Sequence, residues 1–249
     1  MSYASTDNQR RDGLDGSARP LSRAVLLWGG LAWVLATVQY AVAQLVVASA
    51  WNPPYSWSNN YISDLGSTAC AMFAVPHGTA GYVCSPLHPV MNTSFIAAGI
   101  LTIAGAVLLN HLWPARRLAT VALVLWILAG LGKIIVGAVP ENTDSGLHLL
   151  GALNLPISSV AILLLSLTIR RTHPSLSATG VVVAVAGLAS SVLSSVGQYA
   201  GSSFYLGLGA GGMERIAGYP SNLWLLLLGV IAIRAAHRHN SSTQAKDIP

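Results

Sequence analysis

Six long apolar runs, separated by short polar segments, constrain the fold of this chain more than any other feature. Each run has about 20 residues or more, the length that an α-helix needs to cross the hydrocarbon core of a bilayer. Charged residues make up only 8% of the chain, whereas a soluble domain carries about 25%. A transmembrane barrel is excluded, because its strands would alternate apolar and polar residues over about ten positions. The predicted spans are Arg23–Ser49, Pro89–Asn110, Leu118–Val139, Leu147–Ile169, Leu176–Val196 and Ile216–Ala235.

The predicted fold is therefore all-α, a single polytopic bundle of six transmembrane helices over residues 23–236. Residues 1–22 are polar and are predicted to form a disordered tail, and residues 237–249 form a second tail. The first run follows several arginines and precedes an Ala-Ser-Ala sequence, as a signal peptide would. It has about 25 residues, however, against 7–15 in the apolar part of a signal peptide, so we expect an uncleaved first helix.

Basic residues are sorted to one side of the predicted bundle. With six alternating spans, eleven of the thirteen Lys and Arg residues fall on the side that carries both termini. The positive-inside rule makes that side cytoplasmic, so we expect both termini in the cytoplasm and the protein in the cell membrane. The net charge of +5 then reflects orientation and contact with lipid headgroups, not nucleic acid. These residues are Arg10, Arg11, Arg19, Arg23, Arg116, Arg117, Arg170, Arg171, Arg234, Arg238 and Lys246.

The opposite side, predicted to be the outer one, carries the acidic residues in the body of the chain. Asp64 lies in the first outer loop, Glu141 and Asp144 lie in the second, and Glu214 lies in the third. Because acids are concentrated here and the cytoplasmic cations are explained by orientation, we expect any functional site on the outer side.

Both cysteines, Cys70 and Cys84, fall in the first outer loop. That loop faces an oxidising compartment under the predicted orientation, which favours a disulfide over two free thiols. A metal site is a weaker alternative, because the loop lacks the usual spacing of metal ligands.

Four motifs on this side carry a family resemblance. They are N-N-Y-I-S-D-L-G at 59–66, P-L-H-P-V-M-N at 86–92, the stretch 132–148 that begins G-K-I-I-V-G, and G-G-M-E-R-I-A-G-Y at 211–219. With them the chain resembles the prokaryotic membrane family known as domain of unknown function 998, over roughly residues 24–235. The resemblance implies a compact multi-span bundle and no particular activity. A distant similarity to the Frag1/DRAM/Sfk1 membrane proteins would imply a role in lipid or membrane organisation.

Lys133 and Arg215 are the two cations that orientation does not explain. Lys133 lies about six residues, or about 9 Å, inside the outer end of the third span, where the family resemblance implies an apolar or small residue. A charge at that depth faces the bundle interior and has a partner, unless its long stem reaches the headgroups. The candidate partners are Asp64, Glu141, Asp144 and Glu214.

Arg215 either forms a structural ion pair or holds an anionic headgroup in its planar fork. Together with neighbouring amides, the two cations suit an amphiphilic ligand at the edge of an apolar cavity. The predicted ligand-binding residues are Lys133, Arg215, Asn60, Asn92 and Gln198.

Acid–base chemistry on a lipid is the alternative use of the same side. The catalytic candidates are Asp64, His88, Glu141, Asp144, His148 and Glu214. His88, His148 and Asp64 could instead hold a hydrolytic metal ion, but the sequence has no H-E-x-x-H motif. A Ser–His–Asp triad is also unsupported, because no nucleophile elbow is present. The sequence identifies no cofactor.

Three functions follow in order of preference. The first is a membrane protein with an outward-facing polar pocket near the outer leaflet that binds a lipid or another amphiphile. The second is a membrane-embedded enzyme that acts on a lipid or isoprenoid by acid–base or metal-assisted chemistry. The third is a small transporter that uses Lys133.

Overall fold

The computed structural model describes residues 22–73, 81–114 and 117–244, with side chains up to residue 238. The disorder predicted for the first tail lies outside the described residues except at residue 22. The cations at positions 10, 11, 19, 116 and 246 also lie outside them.

Within the described ranges, seven α-helices build six candidate membrane spans, which confirms the all-α class and the six predicted spans. The protein is thus a multi-pass membrane protein. The fourth span is broken at Leu153 into two helices, because Pro156 lacks the N–H that would bond the Ala152 carbonyl. The helices are α1 Arg23–Ser49, α2 His88–Leu108, α3 Arg117–Ala138, α4 Ser145–Ala152, α5 Asn154–Ile169, α6 Pro174–Ala200 and α7 Gly209–Gln244.

The spans form a closed ring in which each packs on its neighbours in sequence and α1 packs on α7. Buried tryptophans Trp33, Trp126 and Trp224 fill the half of the ring that is nearer the chain termini. A second apolar cluster, around Val47, Leu65 and Met91, fills the other half. We call the end beyond this second cluster the acidic end; it is formed by residues 50–73, 81–87, 139–144 and 201–208.

Reciprocal pairs of glycines lie where spans approach each other most closely. A Cβ added to Gly30 would lie 2.7 Å from the Gly229 carbonyl oxygen, and one added to Gly229 would lie 2.7 Å from that of Gly30. Gly99 with Gly130, and Gly132 with Gly151, form equivalent pairs between α2 and α3 and between α3 and α4. Backbone contact at this distance leaves no room for a side chain, so these glycines set the spacing of the helices.

The first loop at the acidic end is ordered along its described parts. The Cys70–Cys84 disulfide is confirmed, and beside it strands β1 (Ala71–Phe73) and β2 (Gly81–Val83) pair antiparallel. Ser63–Gly66 forms a short 3₁₀ helix whose Leu65 is fully buried. The described parts of this loop, residues 50–73 and 81–87, pack onto the end of the bundle, and we call them the roof loop or roof.

The start of the last span differs from the prediction. The helix begins at Gly209, seven residues before the predicted Ile216, so Glu214 and Arg215 lie inside α7. Adjacent glycines such as Gly211 and Gly212 are unfavourable inside a helix, but Gly211 packs directly against the Asn60 carbonyl, where no side chain fits. Here glycine allows close contact between a helix and the roof loop, a tertiary effect that outweighs its low helix propensity. The helix also continues to Gln244, into the predicted second tail.

Candidate functional site

Arg215 holds the roof loop onto α7. Its guanidinium donates hydrogen bonds to the carbonyls of Asn60 (3.0 Å) and Gly211 (2.8 Å) and to the Tyr55 hydroxyl. The guanidinium carbon lies 5.4 Å and 5.0 Å from the ring centroids of Tyr55 and Trp57. The two terminal nitrogens of Arg215 thus bond protein groups of the roof and of α7, whereas Nε is buried without a hydrogen-bond partner.

Three carboxyl groups surround the roof segment 61–64. Asp64 Oδ2 accepts from the Tyr61 N–H (2.8 Å) and from Asn60 Nδ2 (3.2 Å). Glu141 Oε2 accepts from the Ser63 hydroxyl at 2.7 Å, and Glu214 accepts from the Ile62 N–H. Three of the four predicted acids, all except Asp144, therefore converge on a single segment.

Asp64 and Glu141 form a buried carboxyl pair. Burial, together with the neighbouring Glu141, raises the pKa of Asp64 from its ordinary value of 3.8 to about 8. Burial also raises the pKa of Glu141. Two carboxylates in contact repel each other, so the pair holds a proton that it shares in a hydrogen bond.

We expect the stability of the protein to fall as the pH rises, because of Asp64. The folded protein binds its proton more tightly than the unfolded chain, so the stabilisation is complete below pH 3.8 and is lost as the pH approaches about 8. Asp64→Asn should therefore raise the melting temperature at pH 8 and flatten its fall between pH 5 and pH 8, measured by thermal unfolding in detergent. Asp144→Asn is the matched control, because Asp144 is exposed and caps α4. Equal slopes for the wild type and Asp64→Asn would contradict the shared proton.

A cavity of about 40 Å³ with many polar residues on its wall lies beneath this segment, beside Phe95 and Val136 of the second apolar cluster. Lys133 Nζ donates to Asn222 Oδ1 at 3.0 Å on its wall. Lys133 therefore faces the bundle interior, as predicted, but its partner is an amide and not one of the four candidate acids. Charged and polar residues on the wall are Tyr40, Ser63, Lys133, His148, Asn154, Ser158, Glu214, Ser221 and Asn222.

His148 is buried on the same wall and has a defined tautomer. Its Nδ1 lies 2.8 Å from the Val139 carbonyl oxygen, which can only accept, so Nδ1 carries the hydrogen. When the ring is neutral, Nε2 then bears the lone pair.

An apolar groove of about 300 Å³ runs between α1 and α7 beside the cavity. Its outer edges are the exposed side chains of Leu45 and Leu223, which face the lipid. The Tyr219 hydroxyl donates to Gln44 Oε1 at 2.7 Å across the groove. Tyr40 and Asn222 line both the groove and the cavity, so the two spaces share a wall.

The structure separates the predicted site residues into groups. Lys133, His148 and Glu214 line the cavity, whereas Asp64 and Glu141 pair above it. The other predicted ligand-binding residues support the roof: Asn60 and Arg215 as described, Asn92 by donating to the Gly66 carbonyl at 3.0 Å, and Gln198 by donating to the Tyr61 hydroxyl at 3.1 Å.

Two catalytic candidates lie away from the cavity. His88 begins α2 and Asp144 accepts from the Leu147 N–H at the start of α4. In the parts of the chain that the structure describes, no group of three or more His, Cys, Asp or Glu side chains could hold a metal ion.

Three residues of the cavity wall, Tyr40, Ser221 and Asn222, are absent from the residues predicted from the sequence. A signal was present for two of them, because Ser221 and Asn222 are adjacent polar residues within the last apolar run, directly after Pro220. Polar side chains within a span usually face the bundle interior.

Comparison with known proteins identifies one family model, described as "Protein of unknown function (DUF998)", which matches residues 34–231. No curated protein matches the chain, and no solved structure matches it.

Proposed function

We propose that this chain, which belongs to the family of proteins of unknown function DUF998, binds a membrane amphiphile between α1 and α7. The observation that carries this proposal is the wall of Tyr40 and Asn222 shared by the lipid-facing groove and the polar cavity. A molecule in the groove can therefore keep its tail among apolar residues while its head lies at polar ones.

The groove suits an acyl or isoprenoid tail. At about 300 Å³ it is at the lower end of the range of small-molecule sites, which is about 300–1,000 Å³. Leu45 is 62% exposed and Leu223 is 60% exposed, and in a bilayer such surface contacts lipid chains. Entry from the side would let a tail slide in without crossing water.

Polar groups lie along one side of this groove and limit where a head can sit. Gln44 and Tyr219 bond each other, and Asn222 accepts from Lys133. Residues 37–45 form the later half of α1, toward the acidic end, so the head lies in the half of the membrane nearer the roof. Under the orientation predicted from the charges, that half is the outer leaflet of the cell membrane.

We expect Ala41→Phe to block the groove and to reduce amphiphile binding about tenfold, a loss of about 1.4 kcal/mol. Ala41 is exposed and lines the groove, so the added ring fills the tail position without disturbing the core. The measurement is photo-crosslinking, in lipid nanodiscs, of hexadecanol carrying a diazirine in its tail, with the labelled peptides identified by mass spectrometry. Labelling should concentrate on residues 37–45 and 219–223.

The matched control is Ala97→Phe, which adds the same ring to a different lipid-facing groove, between α1 and α2. It should leave labelling of the α1–α7 groove unchanged. Labelling spread evenly over all lipid-facing helices, or unaffected by Ala41→Phe, would reject the proposed site.

A further inference from the structure

The loop between α6 and α7, residues 201–208, carries bare apolar side chains at the acidic end. Phe204 is 38% exposed, Leu206 is 66% exposed and Leu208 is 43% exposed. The loop contains no Asp, Glu, Lys or Arg, so it has no charged side chain that favours water. Clustered apolar surface of this kind marks a contact with a membrane or with another protein.

The other face of the loop is fixed against the protein. Tyr205 is 8% exposed, and its ring packs on Gly197 so closely that a Cβ there would overlap it. Directly after the loop, the Gly212 N–H donates to the Ser58 carbonyl of the roof at 3.0 Å. A defined structure therefore holds the neighbouring apolar side chains outward.

Leu206 is held in an uncommon backbone conformation. Its φ is +52°, in the left-handed region, which costs a leucine backbone energy and which glycine or asparagine adopts more readily. The exposed side chain does not regain that energy by packing inside the protein. Strain that the protein itself does not repay indicates a stabilising contact outside it.

The lipid-facing sides of both neighbouring spans lead to this loop. On α6, Val185, Val192 and Tyr199 are 55%, 61% and 65% exposed, and their spacing of seven residues puts them on one face. On α7, the exposed side chains of Ile216 and Leu223 continue the apolar surface after the loop. The loop therefore extends the surface that contacts lipid, and this continuity favours the bilayer as its occupant.

The length of α6 places the loop at the level of the headgroups. From Pro174 to Tyr199 the helix rises about 38 Å at about 1.5 Å per residue. That length exceeds the hydrocarbon core, which is about 30 Å thick, and approaches the full bilayer, which is about 40–45 Å thick. Tyr199 then lies at the membrane interface, where tyrosine is enriched.

We infer that residues 201–208 form an interfacial membrane anchor, whose Phe204, Leu206 and Leu208 side chains insert between lipid headgroups beside α6 and α7. The occupant is the bilayer itself, in the leaflet at the acidic end. The anchor is separate from the proposed amphiphile site between α1 and α7. It fixes the depth at which this end of α6 and α7 lies in the membrane.

The test measures the depth of a polarity-sensitive NBD fluorophore on single introduced cysteines, in phosphatidylcholine nanodiscs. Cys70 and Cys84 are joined in a disulfide, so the label reacts only with the new thiol. Leu206→Cys reports on the anchor. Ser145→Cys is the control exposed at the start of α4, at the same end, and Val192→Cys is the control within a span.

The Leu206 label should be quenched most by lipid that carries a nitroxide at carbon 5 of an acyl chain, and the Val192 label by lipid with the nitroxide at carbon 12. Aqueous iodide should quench the Leu206 label about fivefold less than the Ser145 label, as an apolar face buried at the interface predicts. Equal iodide quenching at both positions would overturn the anchor, because the loop would then lie in water. Protection of the Leu206 label from iodide and from both nitroxide lipids would also overturn it, because a second copy would then cover the loop.

A triple variant tests whether the apolar side chains hold the loop in the membrane. It combines Phe204→Ser, Leu206→Asn and Leu208→Ser, because asparagine keeps the left-handed backbone, and the label is moved to Ser203→Cys. Iodide quenching of this label should rise about threefold. Met72→Ser, which removes a similarly exposed apolar side chain from the roof, should leave it unchanged. The label within the span should keep its depth in the triple variant, which shows that the bundle is folded. With the bundle folded, unchanged iodide quenching in the triple variant would reject insertion by these side chains.

Discussion

Arg215→Met is expected to lower the free energy of unfolding by about 3 kcal/mol and to loosen the roof loop. Arg215 is 8% exposed, and its guanidinium donates to Asn60, Gly211 and Tyr55, all of which would lose a charged donor. Methionine is similar in length but cannot donate. The buried Glu214 carboxylate would also lose its adjacent cation.

Arg215→Lys separates charge from geometry. Lysine keeps the positive charge but has no planar fork, so it cannot bond Asn60, Gly211 and Tyr55 together or stack on two rings. We expect it to recover less than half of the lost stability. The measurement is thermal or SDS-induced unfolding of the purified protein, combined with limited proteolysis of residues 50–66.

Arg234→Met is the matched control, because Arg234 lies on the same helix but is exposed at the opposite end. Its effect should stay within about 0.5 kcal/mol. If Arg215→Met kept full stability but bound the amphiphile more weakly, the prediction would be wrong. Arg215 would then bind an anionic headgroup and would not stabilise the roof loop.

Hydropathy and charge were sufficient to predict the architecture. Each span is long and apolar, so its existence follows from the length of the bilayer core alone. The disulfide followed from Cys70 and Cys84 sharing one loop on the side predicted to be oxidising. Both inferences depend on local composition and need no knowledge of which helix faces which.

The details of the site, in contrast, depend on which face of each helix is turned toward the bundle. Spans that are apolar all round do not show which side faces the bundle, so Lys133 could be placed by depth but not by partner. Its partner Asn222 comes from a helix 89 residues away in sequence. Arg215 showed the same problem, because glycines at 211 and 212 look like loop residues until the Asn60 carbonyl is seen against them.

From the sequence, the acids are predicted only to lie on the same side of the membrane, not to contact one segment. That Asp64 and Glu141 meet depends on how the roof loop folds down, which rests on buried aromatic and aliphatic residues of the loop. The acids themselves carry no sequence signal of that contact.

Gly132→Val is expected to be the second strongly disruptive change, costing about 3 kcal/mol and most of the amphiphile binding. A Cβ at Gly132 would lie 2.6 Å from the Gly151 carbonyl oxygen and 2.9 Å from Asn154 Cβ. A backbone oxygen cannot rotate away as a flexible side chain can, so α3 and α4 must separate. Gly132 directly precedes Lys133, and the separation would move Nζ away from Asn222.

Gly146→Val is the control, since Gly146 lies on the same α4 and is exposed, with Asp144 Oδ1 3.5 Å from an added Cβ as its nearest contact. It should change the stability by less than about 0.5 kcal/mol, because the helix propensity of valine is slightly better than that of glycine and the added side chain meets open space. Thermal unfolding gives the stability, and probe crosslinking in nanodiscs gives the binding. If Gly132→Val kept both, the crossing of α3 and α4 would tolerate separation without moving Lys133. The shape of the cavity would then depend on the roof loop and α7 and not on the crossing of α3 and α4.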